Sequence, residues 1–175
     1  MRRPLRTCRS DRRAHVLRTA EQMTILDVLT SGPTAFRGEG VNHEKESFIG
    51  ELTVQALEGG RAALLKYTAT LLTGNVVHSE STLLGTGPDG RLCLWPVMSE
   101  LPVVFAHTEV VSKAESEKYT LAVFASGARD DSAKFREEIS IQVNSDGCLV
   151  YAHAWGLSHG NFEDRSSCSM MPSAA

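Results

Sequence analysis

The 175-residue chain has no run of about 18 consecutive apolar residues, so no helix is expected to span a membrane. Its four cysteines, Cys8, Cys93, Cys148 and Cys168, include no CxxC pair and no other metal-ligand spacing. The last three stand singly in strand-like runs, where a free thiol behaves as a small apolar group. A disulfide between neighbouring strands is the alternative. With no secretory leader at the start, the reading is a cytoplasmic protein with reduced thiols. Also missing are a GxSxG elbow, an HExxH helix, a P-loop and a dinucleotide fingerprint. Gly38-Glu39-Gly40 is rich in glycine but lacks the lysine and the following helix of a phosphate cradle. No internal repeat is present, and helix periodicity is absent from residue 35 to residue 171.

Charge is unevenly spread. Residues 1–22 carry seven arginines against Asp11 and Glu21, a net +5; the total of −3 leaves −8 for the remainder. An acidic body lacks the basic face that phosphate contacts need, which argues against nucleic acid as a partner. The basic head is expected to be a disordered tail, or to lie upstream of a true start at Met23. The remainder, 23–175, is expected to form a single domain. Met23, Leu26 and Leu29, with Ile25 and Val28, make a short helical stripe over 21–29 that Thr30-Ser31-Gly32-Pro33 ends. Such a helix is expected to plug one end of a barrel built from the strands after it.

Ten strand-like segments succeed the helix, at 35–41, 46–57, 61–72, 75–86, 91–98, 102–112, 117–126, 133–143, 148–156 and 161–171. Glu58-Gly59-Gly60, Thr73-Gly74-Asn75, Pro88-Asp89-Gly90 and Asn144-Ser145-Asp146-Gly147 separate them with tight-turn chemistry. Loops this short force antiparallel neighbours. The expected fold is all-β: a closed, antiparallel, up-and-down barrel of about ten strands with one short N-terminal helix.

Strand alternation then assigns faces. Val76, His78, Glu80, Thr82 and Leu84 share one; Leu149, Tyr151, His153 and Trp155 share another; Val103, Phe105 and His107 a third. Histidine and carboxylate therefore stand on rows that also hold the largest apolar groups, as in the wall of a ligand pocket. Tyr67 and Tyr119 are further interior candidates, while His43 and His159 fall in loops and are expected to face solvent. Both faces of the third and fourth strands are mixed, so their inward side stays open. A histidine and a carboxylate on one face also suit general acid–base chemistry, such as an isomerase or hydratase using His78 or His153 with Glu80.

Phe36-Arg37-Gly38-Glu39-Gly40, Glu51-Leu52, Leu65-Lys66-Tyr67 and His78-Ser79-Glu80 occur in the order and spacing found in nitrobindins. Over these motifs the chain resembles that family, at motif level for residues 35–85 and at fold level to residue 171. The resemblance implies a calycin barrel shaped like lipocalins and fatty-acid-binding proteins. It also implies a haem b held by a histidine in the last strand, with activity toward nitric oxide or peroxynitrite. Counting from Tyr151 without gaps, that iron-ligand position is Arg165, and a guanidinium has no lone pair for iron. Arg165 has two other expected roles: packing over Phe36 to close the barrel, or holding a ligand carboxylate with Tyr151 or Tyr67.

The reading is thus a barrel that binds a small apolar or amphipathic molecule through Tyr67, His78, Glu80, His107, Tyr151, His153, Trp155 and Arg165. A homodimer is a further expected assembly, left open by the sequence. No cofactor or metal is expected from the residues, haem b being the alternative.

Overall fold

Residues 23–115 and 118–174 are described by the structure, a computed structural model. The basic segment 1–22 lies outside them. One helix, α1 (Ile25–Ser31), precedes ten strands: β1 (Ala35–Val41), β2 (Ser47–Leu57), β3 (Ala62–Leu71), β4 (Val76–Thr86), β5 (Leu92–Met98), β6 (His107–Glu115), β7 (Tyr119–Ala125), β8 (Arg136–Asn144), β9 (Leu149–Gly156) and β10 (Glu163–Pro172). Each strand pairs antiparallel with the next, and β1 also pairs with β10, Phe36 opposite Pro172 and Val41 opposite Ser167. The sheet is therefore a closed barrel, as expected from the sequence. The expected turns put their glycines at positive φ, for example Gly74 at 91° and Gly147 at 85°. In β1, a Cβ on Gly38 would collide with the Ser169 carbonyl oxygen, so the β1–β10 closure requires glycine there.

The helix begins later than its stripe suggested. Thr24 caps it, its hydroxyl accepting from the Asp27 amide at 3.2 Å while Asp27 Oδ2 accepts from the Thr24 amide at 2.9 Å. Thr30 and Ser31 remain helical because their hydroxyls donate to the carbonyls of Leu26 and Asp27. α1 touches β2 and β3 on one wall and β7 and β8 on the opposite wall. Its buried Ile25, Leu26 and Leu29 join the cluster of Leu52, Leu65, Phe124 and Ile139. One end of the barrel is plugged with hydrocarbon.

The sixth strand differs most from expectation. It starts at His107, not at 102, and Val103, Val104 and Phe105 form an exposed loop at the open end. Pro102 has no N–H to give a ladder, and an apolar run alone does not distinguish strand from loop. The expected shared row of Val103, Phe105 and His107 does not exist; His107 alone is buried. The β5–β6 ladder is also the shortest, reduced to Cys93 opposite Thr108 and Leu94 opposite His107. The other strand bounds lie within three residues of those expected.

The inward rows of β3 and β4, open in the sequence, are now assigned. They are Ala63, Leu65, Tyr67 and Ala69 on β3, and His78, Glu80, Thr82 and Leu84 on β4. Among the described residues no helix is long and apolar enough to cross a membrane.

Candidate functional site

The end of the barrel opposite α1 holds a cavity of about 520 Å³, within the range of about 300–1,000 Å³ common for small-molecule sites. Its apolar wall includes Phe48, Met98, Leu101, Phe135 and Leu157, and its polar lining includes Tyr67, His78, Glu100, Glu137, His153 and Arg165. Of the eight residues expected at a site, Tyr67, His78, His153, Trp155 and Arg165 line this cavity. Glu80 and Tyr151 lie two residues further along their strands toward the plugged end and form a buried layer beneath it.

β4 and β9 stand five places apart in the ten-strand ring, so their inward side chains meet across the lumen. There, His78 Nε2 lies 3.2 Å from Glu80 Oε2, and His153 Nε2 lies 3.6 Å from the same oxygen. The other carboxylate oxygen, Glu80 Oε1, accepts from Thr82 Oγ1 at 2.8 Å and from the Tyr151 hydroxyl. Each imidazole is oriented from behind by a carboxylate: His78 Nδ1 lies 2.9 Å from Glu100 Oε2 and His153 Nδ1 lies 3.2 Å from Glu137 Oε1. One donor atom from each of His78, Glu80 and His153 lies within 4.8 Å of the other two. These three donors are where a metal ion could be held.

Electrostatics follow from this packing. Burial pushes the Glu80 carboxyl up, but hydrogen bonds and charge from His78, His153 and Tyr151 outweigh it and leave it below the usual range. For His78 burial pulls down, and the carboxylates of Glu80 and Glu100 reverse the sign, so its pKa is raised. Burial drives both Tyr67 and Tyr151 well up; Cys168 adds to the effect at Tyr67, and Glu80 at Tyr151. Both phenols therefore keep their protons, and the Tyr151 proton is directed at Glu80.

His107 is buried away from the cavity, with Nε2 3.1 Å from Glu137 Oε2 and Nδ1 3.0 Å from the Phe105 carbonyl. It positions Glu137 and does not face a ligand. Glu137 thus receives both His107 and His153, and against the effect of burial these contacts hold its carboxyl at about 2. Sequence reading passed over Glu137, although it shares the β8 row of Ile139, Ile141 and Val143 and shows the same anomaly that singled out Glu80.

Arg165 does not pack over Phe36. It stacks on Trp155 at 4.2 Å, donates from Nε to the Trp155 carbonyl and pairs with Glu163 at 3.2 Å. Phe36 sits opposite Pro172, seven residues along β10, about 23 Å away at roughly 3.3 Å per residue. Arg136 ties two mouth loops together instead, its buried guanidinium donating to the carbonyls of Arg129, Leu157 and Gly160. His43 is exposed, as expected, and stands at the cavity's edge with its ring edge-on to Trp155 at 5.7 Å. His159 is an exposed loop residue, and Tyr119 lies outside the site with its hydroxyl on Glu115.

No protein-family model matches the chain, and no curated protein matches it. Solved structures do. The crystal structure of Rv2717c from M. tuberculosis superposes with a TM-score of 0.66 and 11% identity, covering 81% of this chain and 92% of that one. At that identity the likeness establishes the fold alone.

Proposed function

We propose that the protein binds one small amphipathic organic molecule in the open half of the barrel, its polar end on His78 and His153. The observation that carries this is the division of one lumen into a filled half and a hollow one. The cavity's apolar wall meets a floor of oriented imidazole and carboxylate groups. The calycin kinship belongs to this reading and is supported by the ten-strand closure. A cytoplasmic location is part of it too, supported by the free thiols of Cys93, Cys148 and Cys168. Native mass spectrometry of freshly purified protein is expected to show a co-purified adduct, and an environment-sensitive apolar dye to bind once per chain. Trp155→Ala should weaken the dye about tenfold, as loss of an aromatic wall worth roughly 1.4 kcal/mol would. Dye binding that is unsaturable, or indifferent to Trp155, overturns the reading.

A ligand carboxylate clamped by Arg165 and a tyrosine fits less well. The guanidinium is already engaged by Glu163 and Trp155, and the Tyr151 hydroxyl by Glu80. Haem fits less well again. Arg165 has no lone pair, and the imidazoles of His78 and His153 turn Nε2 toward Glu80 across a carboxylate-rich floor.

A second reading, an acid–base enzyme of the isomerase or hydratase type, is favoured by one specific observation. Both cavity imidazoles lie within 3.6 Å of the Glu80 carboxylate, which dispersed binding groups would not require. A co-purified ligand recovered unchanged after prolonged incubation supports binding alone. Recovery of an isomeric or hydrated product, abolished by Glu80→Gln, supports the enzyme.

A further inference from the structure

The most unusual atom in the barrel is His153 Nε2. His153 is 7% exposed, and this nitrogen is completely buried with no hydrogen-bond partner. Its other nitrogen, Nδ1, faces Glu137 Oε1 at 3.2 Å. Nε2 faces the Glu80 carboxylate at 3.6 Å, beyond hydrogen-bond reach. A buried nitrogen left unpartnered opposite a carboxylate is costly, and a cation bound to both would satisfy the two at once. His78 Nε2 approaches the same oxygen from the cavity side.

We propose that His78 Nε2, Glu80 Oε2 and His153 Nε2 form a binding site for a divalent first-row transition-metal ion of the zinc and iron(II) kind. Two imidazoles and one carboxylate are a donor set those ions use, leaving coordination positions open. Bonds of about 2.0–2.2 Å from such an ion place its donors about 3.0–3.6 Å apart. The His78–Glu80 and His153–Glu80 separations, 3.2 and 3.6 Å, fall in that range. The surroundings are those of a metal site as well. Glu100 and Glu137 accept from the far nitrogens of the two imidazoles, which fixes their tautomers and aims Nε2 inward. Thr82 and Tyr151 occupy Glu80 Oε1 and leave Oε2 for the ion. Because His78 and His153 line the cavity and Glu80 lies beneath it, the open positions face the cavity, where water or the polar end of an organic ligand completes the shell. The ion displaces any proton shared between His78 and Glu80. This site does not depend on the organic ligand proposed above.

The test uses the untagged full-length chain, dialysed against chelator and then titrated with Zn²⁺ by calorimetry and with Co²⁺ by visible absorption. One ion per chain is expected, with Zn²⁺ displacing Co²⁺ and Mg²⁺ failing to compete. His78→Ala, at the half-buried ligand, should remove the Co²⁺ bands while the far-ultraviolet spectrum stays that of a barrel. Glu100→Ala keeps all three ligands and should lower affinity by about 10- to 100-fold through lost orientation. Absence of saturable binding at millimolar Zn²⁺, or binding that neither substitution changes, overturns the proposal. The apolar dye is titrated in parallel into the metal-free protein. Dye binding without metal binding defeats the metal site alone, and metal binding without dye binding defeats the organic-ligand reading alone.

Discussion

Followed from the helix-covered end to the open end, the inward row of β4 runs Leu84, Thr82, Glu80, His78, and that of β8 runs Val143, Ile141, Ile139, Glu137. β9 makes the same passage, from Leu149 through Tyr151 to His153 and Trp155. Each of these strands changes chemistry about halfway along. The plugged half is hydrocarbon held by packing, where stability depends on volume. In the open half, titratable groups are held by one another, so stability depends on every partner being present. A barrel that was only a scaffold would have no reason to exchange the first kind of interior for the second.

The contrast can be broken most sharply in the plugged half. Phe124 is fully buried, and Phe124→Ala should cost about 3–5 kcal/mol in urea unfolding. The same substitution should leave metal and dye stoichiometry unchanged in the protein that remains folded; a loss below 1 kcal/mol, the rough size of a surface effect, would mean the packed half is not what holds the barrel. Glu137 tests the other half. Its folded-state pKa, about 2, lies below the ordinary carboxylate value of 4.5. The stability it contributes is therefore complete above the unfolded value and lost as the pH falls from about 4.5 toward 2. In metal-free protein, Glu137→Gln should remove that slope, worth on the order of 3 kcal/mol. Unfolding midpoints for the two proteins should then draw together as the pH falls and converge only at about pH 2 and below, at the folded pKa; parallel curves would reject the assignment. The smallest effect is expected at the lid of the plug. Thr24→Ala removes the helix cap and should cost about 1 kcal/mol, a change in thermal midpoint with no change in ligand or metal binding.

Much of the barrel was legible because its signals are local. Glycine turns and alternation mark each strand without reference to any other, which is why nine of the ten expected segments, all but 102–112, lie within three residues of a strand. The sixth was misjudged because Val103-Val104-Phe105 is apolar for a reason other than a strand: it rims the mouth. The site was half legible. His78, Glu80 and His153 stand out as polar groups on apolar rows, and that is a property of one strand. Their meeting is a property of the ring, set by five intervening pairings between β4 and β9, and no spacing along the chain records it. Glu137 was open to the same row test but sat between two other charges, Arg136 and Glu138, and was hidden by them. The latch expected of Arg165 over Phe36 was not met: Arg165 has an aromatic next door in Trp155, while Arg136, unremarked in the sequence, finds three carbonyls in the mouth loops.

The short ladder between β5 and β6 gives the ring a weak link. Two residue pairs join these strands, supplemented by the Arg91 guanidinium on the Glu109 carbonyl and by Cys93 against Thr108. Pro96, with no N–H to contribute, stands just past the last pair. This join therefore holds the fewest ladder pairs of any in the ring. In mechanical terms the barrel is a closed ring of uneven stiffness, its thinnest join on the side opposite β1 and β10 and next to the exposed loop of Val103 to Phe105.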